Sequence, residues 1–205
     1  MDVKQITINF SFEEIETNLE KFSRVISALN KNYPLVWGVA PGHVRLLKHD
    51  GSSITITPTS LTFEESIEES VEKSLNLFKS IVEDICEKFG IMKFSHFTFQ
   101  ALGIKRAVSE KWERPLLKDV SIIISDEIKD TLQAKDFKIG GKIVFKRNNK
   151  DYNIRVEPFL KDAKYNFFSF IVTNKEEVSI NESLEIINEE YAFLKEKVNI
   201  ILQGG

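Results

Sequence analysis

Lys142, Lys146, Arg147 and Arg155 are the residues of this chain whose types and spacing best suit a chemical task, the capture of an anion. They flank Asn148-Asn149, a pair that tolerates positive φ and so reads as a two-residue hairpin turn. Ile143 and Phe145 alternate before the turn, and Tyr152, Ile154 and Val156 alternate after it. That register sets Phe145 opposite Tyr152 and Ile143 opposite Ile154 on a dry face. On the wet face Lys146 lies opposite Asp151, and Lys142 opposite Arg155. Such a face suits a nucleic-acid backbone or an anionic ligand, and it equally suits plain solvation.

Other chemistry finds less support. His43, His49 and His96 are isolated and Cys86 has no near partner, so the spacing that a metal site needs is missing. His43 and His49 border chain breaks and read as exposed, while His96 reads as a satisfied or half-exposed strand residue. Neither a phosphate loop nor a dinucleotide fingerprint occurs. The run at 120–126 resembles an apolar strand ending in an acidic residue, but reads better as a strand followed by a capped helix start. No nucleophile elbow occurs, and Cys86 falls mid-helix, where a small buried residue is the default. Phe94, Phe97, Phe99, Phe167, Phe168 and Phe170 could stack bases on an open sheet, yet core packing explains them and the RNA-recognition signature is missing. The expectation is therefore no catalytic residues, no cofactor and no metal.

Composition points the same way. The chain has 205 residues and a net charge of −3, unevenly spread: the stretch 105–164 holds 15 Lys+Arg against 10 Asp+Glu. At this length about 70% of the unfolded surface can be buried, so no external staple is needed. With one cysteine, no basic-then-apolar signal segment and no apolar run near ~20 residues, the expected setting is cytoplasmic, reducing and away from membranes.

The elements that would position these residues are amphipathic helices over strands. Ile6, Ile8 and Phe10 alternate as a strand, and Ser11 with Glu14 has capping-box spacing, predicting a helix with Ile15, Leu19, Phe22, Ile26 and Leu29 on one stripe. Asp50-Gly51 predicts a hairpin. Pairing Leu47 with Ile54 there would place Arg45 on the apolar face, whereas a one-residue slip or bulge, the favoured reading, moves it to solvent. Ser66 with Glu69 predicts a second helix through Ile67, Val71, Leu75, Phe78, Ile81, Val82, Ile85 and Phe89, closed by Gly90. The stretch 94–104 reads as a strand, 107–118 as a charged loop, 120–124 as a short strand and 126–132 as one or two helical turns. A strand over 165–172 precedes Ser179 and Glu182, a third capping box. Beyond it Ile180, Leu184, Ile187, Tyr191, Leu194, Val198 and Ile201 form a continuous stripe.

Arg45-Leu46-Leu47, Asp50-Gly51, Ile54 to Pro58, Leu61-Thr62-Phe63, Ala101 to Arg106 and Ile154 to Leu160 together resemble a sporadically distributed prokaryotic family of uncharacterised proteins. The resemblance implies one α+β unit and no established activity, and it carries over no functional residues.

The predicted fold is thus α+β, an antiparallel sheet with helices on one face, in one domain over 1–205. A duplicated ferredoxin-like arrangement, with pseudo-repeats 1–106 and 119–205, is a further option. Two functions from different classes stand. One is a non-enzymatic interaction protein that self-associates, as a homodimer through the closing helix or an exposed sheet edge, or that binds another protein as partner. The other binds nucleic acid or an anionic ligand through Lys142, Lys146, Arg147 and Arg155.

Overall fold

The computed structural model describes residues 1–40, 42–106, 141–159, 162 and 164–198. Its strands are β1 (Asp2–Ser11), β2 (Leu35–Ala40), β3 (His43–Leu47), β4 (Ser53–Ile56), β5 (Ser60–Ser66), β6 (Lys93–Phe94), β7 (His96–Arg106), β8 (Gly141–Arg147), β9 (Lys150–Pro158), β10 (Tyr165–Asn174) and β11 (Val178–Ser179). The helices are α1 (Leu19–Leu29), α2 (Val71–Phe89) and α3 (Ile180–Phe193), the last running into a π-turn, Leu194–Val198. Nine strands form one antiparallel sheet in the order β2-β3-β4-β5-β1-β7-β10-β9-β8, and β11 pairs with β6 beside it. The fold is α+β with strands dominant. The charged loop at 107–118, the strand at 120–124, the turns at 126–132 and Ile201 lie outside the described residues.

Side-chain alternation makes one face of this sheet dry. Val44, Leu46, Ile54, Ile56, Leu61, Phe63, Ile6, Ile8, Phe10, Phe97, Phe99, Phe168, Phe170, Val172, Tyr152 and Ile154 are all essentially inaccessible. The described helices pack on that face. Phe78 of α2 stacks with Phe10 and lies 4.9 Å from Phe63, Phe22 of α1 meets Phe89 of α2, and Phe193 of α3 meets Tyr152 and Phe170. Each ring of this size removes a large apolar area from water.

The 148–149 hairpin has the register its alternation predicts, with Phe145 facing Tyr152, Ile143 facing Ile154, Lys146 facing Asp151 and Lys142 facing Arg155. Asn148 and Asn149 both take positive φ, 49° and 60°, matching the strand twist. At the other hairpin the slip occurs: Leu46, not Leu47, faces Ile54, and Arg45 faces Thr55. Gly51 at φ +89° turns a three-residue loop closed by the Lys48 N–H donating to the Ser52 carbonyl, and that extra residue flips Arg45 off the dry face.

Two helix starts differ from the spacing signal. Helix α1 begins at Leu19, capped by Asn18, because Ser11 stays in the ladder opposite Ser60 and His96 and buried Phe12 pins the next residues against Phe94. Leu19 is consequently 72% exposed instead of lying on the buried stripe. Helix α2 likewise begins at Val71 under Ser70, since Ser66 still pairs with Gln5 in β5. From Val71 on its apolar stripe is as expected, with Ile67 left outside the helix, and Gly90 closes it at φ 70° with its N–H donating to the carbonyls of Cys86 and Glu87. At α3 the capping box of Ser179 and Glu182 forms in full.

The ferredoxin-like duplication is not confirmed. Between α1 and α2 runs a four-stranded antiparallel meander, β2 to β5, where that order has two strands. Strand β1 lies between β5 and β7, both antiparallel to it, and the start of the second proposed repeat lies outside the described residues.

Candidate functional site

The opposite face of the sheet is the more polar one, and it runs across all nine strands. One cross-strand row reads Leu35, Leu47, Ser53, Glu64, Thr7, Gln100, Ile171, Asn153, Val144 from edge to edge. In the next row Asn9 donates to Thr62 at 3.1 Å, and the Thr98 and Thr173 hydroxyls are 3.4 Å apart. Arg45 belongs to this face, bonded to Ser53 and to Glu64 at 3.2 Å.

Near β8 the polar face sinks into a cavity of about 490 Å³ lined by Gln100, Gly141, Lys142, Asn153, Arg155, Glu157, Ser169 and Ile171. The four cations expected to act together are divided by the pleat. Lys142 and Arg155 line the cavity, Arg155 sharing a hydrogen bond with Glu157. Lys146 stands 3.7 Å from Asp151, a carboxylate also held by Lys175 at 2.5 Å; these cations depress the Asp151 carboxyl below its usual range. Arg147 turns to the helix side, its guanidinium 4.4 Å from the Phe193 ring centroid. Lys142, Lys146 and Arg155 therefore share the open face, and Arg147 does not.

The two sheet edges differ. On β8, Lys142, Lys146 and Arg147 put positive charge along the edge, which discourages strand pairing. On β2 the segment LVWGVA carries no charge, and Leu35, Val36 and Trp37 are 40%, 45% and 67% exposed. The Arg45 guanidinium lies 5.8 Å from the Trp37 ring centroid.

Beneath the sheet two carboxylates are buried, each with a lysine and a tyrosine. Glu190 of α3 accepts from Lys150 Nζ at 2.8 Å and from the Tyr152 hydroxyl at 2.9 Å. Glu65 of β5 accepts from Tyr33 at 2.9 Å and from Lys48. Burial, reinforced by the adjacent carboxylate, pushes both tyrosines well above their ordinary range. A raised folded value means that stability is complete below the unfolded tyrosine value near 10 and is lost as pH climbs from there towards the folded one. The unfolding free energy is therefore expected to fall above about pH 10, by up to about 1.4 kcal/mol per pH unit for each tyrosine. Tyr33→Phe and Tyr152→Phe should each flatten that decline, read by urea titrations across the alkaline range.

His96 is exposed, and its Nε2 lies 2.9 Å from the Ser11 hydroxyl. Cys86 is buried, and burial pushes its thiol up to about 12, which suppresses the reactive thiolate. Among the described residues no helix is long and apolar enough to cross a membrane.

No family model and no curated protein matches this chain.

The sequence reading missed Gln100, Ser169 and Glu190. For Glu190 the signal was present: it stands three residues after Ile187 and four before Leu194, squarely on the apolar stripe. Gln100 and Ser169 meet Asn153 and Arg155 only through the β7-β10-β9 register, which no local pattern encodes.

Proposed function

We propose that this protein is a self-associating interaction module whose copies join edge to edge through β2. The observation that carries this reading is the uncharged edge at Leu35, Val36 and Trp37, which none of the described residues covers. An unpaired strand edge with apolar side chains is a ready template for another strand, and an antiparallel pair of identical edges closes a two-fold dimer. The register shift between Val36 and Val39 confines pairing to the first half of the strand and so favours a closed dimer over an extended array. The alternative route, through the closing helix, loses its motive: Leu184, Ile187, Leu194 and Val198 are buried within one chain.

Size exclusion with light scattering tests the reading. The expected mass is two chains at micromolar concentration, falling to one chain in Val36→Lys and Trp37→Lys with unchanged circular dichroism. A wild-type mass of one chain ends the proposal.

A further inference from the structure

We infer that the cavity on the open sheet face is a binding site for a small polyhydroxy monocarboxylate, the chemistry of a sugar acid. This goes beyond self-association and does not depend on it, because the cavity lies near β8, at the sheet edge opposite β2. Strand pairing brings Ser169, Arg155 and Lys142 into one row and Gln100, Ile171 and Asn153 into the next, so six side chains from four strands meet over one patch. A pocket of about 490 Å³ falls in the range of small-molecule sites.

The polar groups there are unusual in what they lack. Asn153 Oδ1 is buried without a hydrogen-bond partner among the described residues. Buried polar atoms are almost always satisfied, so an orphan acceptor beside a cavity asks for a donor from outside the fold. Hydroxyls supply that donor to Asn153 and can accept from Ser169 or Gln100. Lys142 pairs with no carboxylate among the described residues, while Arg155 is held by Glu157. Among the described residues of the lining, two cations and one carboxylate leave a single surplus positive charge, which suits one carboxylate and disfavours a dianion placed against Glu157. Ile171 gives the patch its apolar floor.

The discriminating probes are gluconate and glucuronate, set against hexanoate, which has the carboxylate without hydroxyls, and glucose, which has hydroxyls without the carboxylate. Amide NMR titration should show saturable shifts confined to the cavity strands for the two sugar acids, with hexanoate and glucose weaker by about tenfold or more, the cost of leaving a buried polar group unpaired. Lys142→Ala and Asn153→Ala should each weaken sugar-acid binding by about tenfold, and Lys146→Ala, the same charge change outside the cavity, should leave it unchanged. The assignment is overturned by the lack of saturable binding of either sugar acid, by hexanoate binding as well as gluconate, or by Lys146→Ala weakening binding as much as Lys142→Ala. Because all three substituted residues lie on the open face, thermal unfolding of each variant separates lost binding from lost folding.

Discussion

Replacing Glu190 by leucine is expected to destabilise the protein by about 3–5 kcal/mol, because it strands the Lys150 ammonium in a site built around a carboxylate. The lysine and glutamate side chains are 11% and 6% exposed, so water does little to screen or replace the pair. The Tyr152 hydroxyl, which donates to both Glu190 oxygens, loses its acceptor in the same step. Breaking a buried pair and removing it whole are different operations. The double variant Glu190→Leu with Lys150→Met takes out both charges and should recover much of the loss, with Tyr152 the remaining unpaired group. Urea titration of the single and double variants measures the coupling directly. A loss under about 1 kcal/mol for Glu190→Leu would mean that Lys150 escapes to solvent, which removes the argument. Lys195→Ala gives the contrast: its bridge to Glu72 joins two half-exposed side chains at the surface, and little change is expected.

The two buried clusters share a plan. In each, a lysine flanking a hairpin turn, Lys48 before its turn or Lys150 after its own, and a tyrosine converge on a carboxylate presented to the dry face. Glu65 reaches that face by continuing the alternation of Leu61 and Phe63, whereas Glu190 reaches it from a helix. Tyr33 is fixed by the end of α1, its N–H donating to the Leu29 carbonyl at 2.8 Å. Each cluster therefore ties a hairpin tip to an element elsewhere in the chain, through Tyr33 and β5 near one edge of the sheet and through α3 near the other. Three hydrogen-bonding groups in mutual contact satisfy one another where a lone carboxylate would not be tolerated.

Local signals were legible wherever neighbouring residues along the chain decide the outcome. The Asn148-Asn149 turn, the register it imposes, the Gly90 stop and the Ser179 capping box all follow from short-range geometry. Capping-box spacing at Ser11 and Ser66 misled because those serines remain in strand ladders, where long-range hydrogen bonds to β5, β7 and β1 outweigh a local cap. The α3 stripe showed a helix with one apolar face but could not say what covers it; the fold answers with its own core. The cavity was half legible. Lys142 facing Arg155 came from the hairpin, while Gln100 and Ser169 belong to strands whose pairing is set by topology.

Gly103→Ala is expected to cost about 3 kcal/mol, at the upper end of overpacking effects in well-filled interiors. Gly103 occupies an inward position of β7, between Val3 of β1 and Phe168 of β10. A Cβ built there would sit 2.6 Å from Cζ of the Phe168 ring and closer still to the Asp2 carbonyl oxygen. Neither obstacle moves freely: the ring is 1% exposed in the core, and the carbonyl belongs to the backbone beside the register shift between Val3 and Gln5. The glycine thus makes room for an aromatic ring from the adjacent strand to lie over its backbone, a cross-strand device that fixes register at the centre of the sheet. Gly51→Ala calibrates the experiment, since at φ +89° with open space around it the alanine meets backbone strain alone, on the order of 1–2 kcal/mol. Adding Phe168→Leu to Gly103→Ala should recover only part of the loss, because the contact with the Asp2 carbonyl persists. If denaturant unfolding places Gly103→Ala at or below the cost of Gly51→Ala, β1 and β7 separate more easily than their packing indicates and the steric account fails.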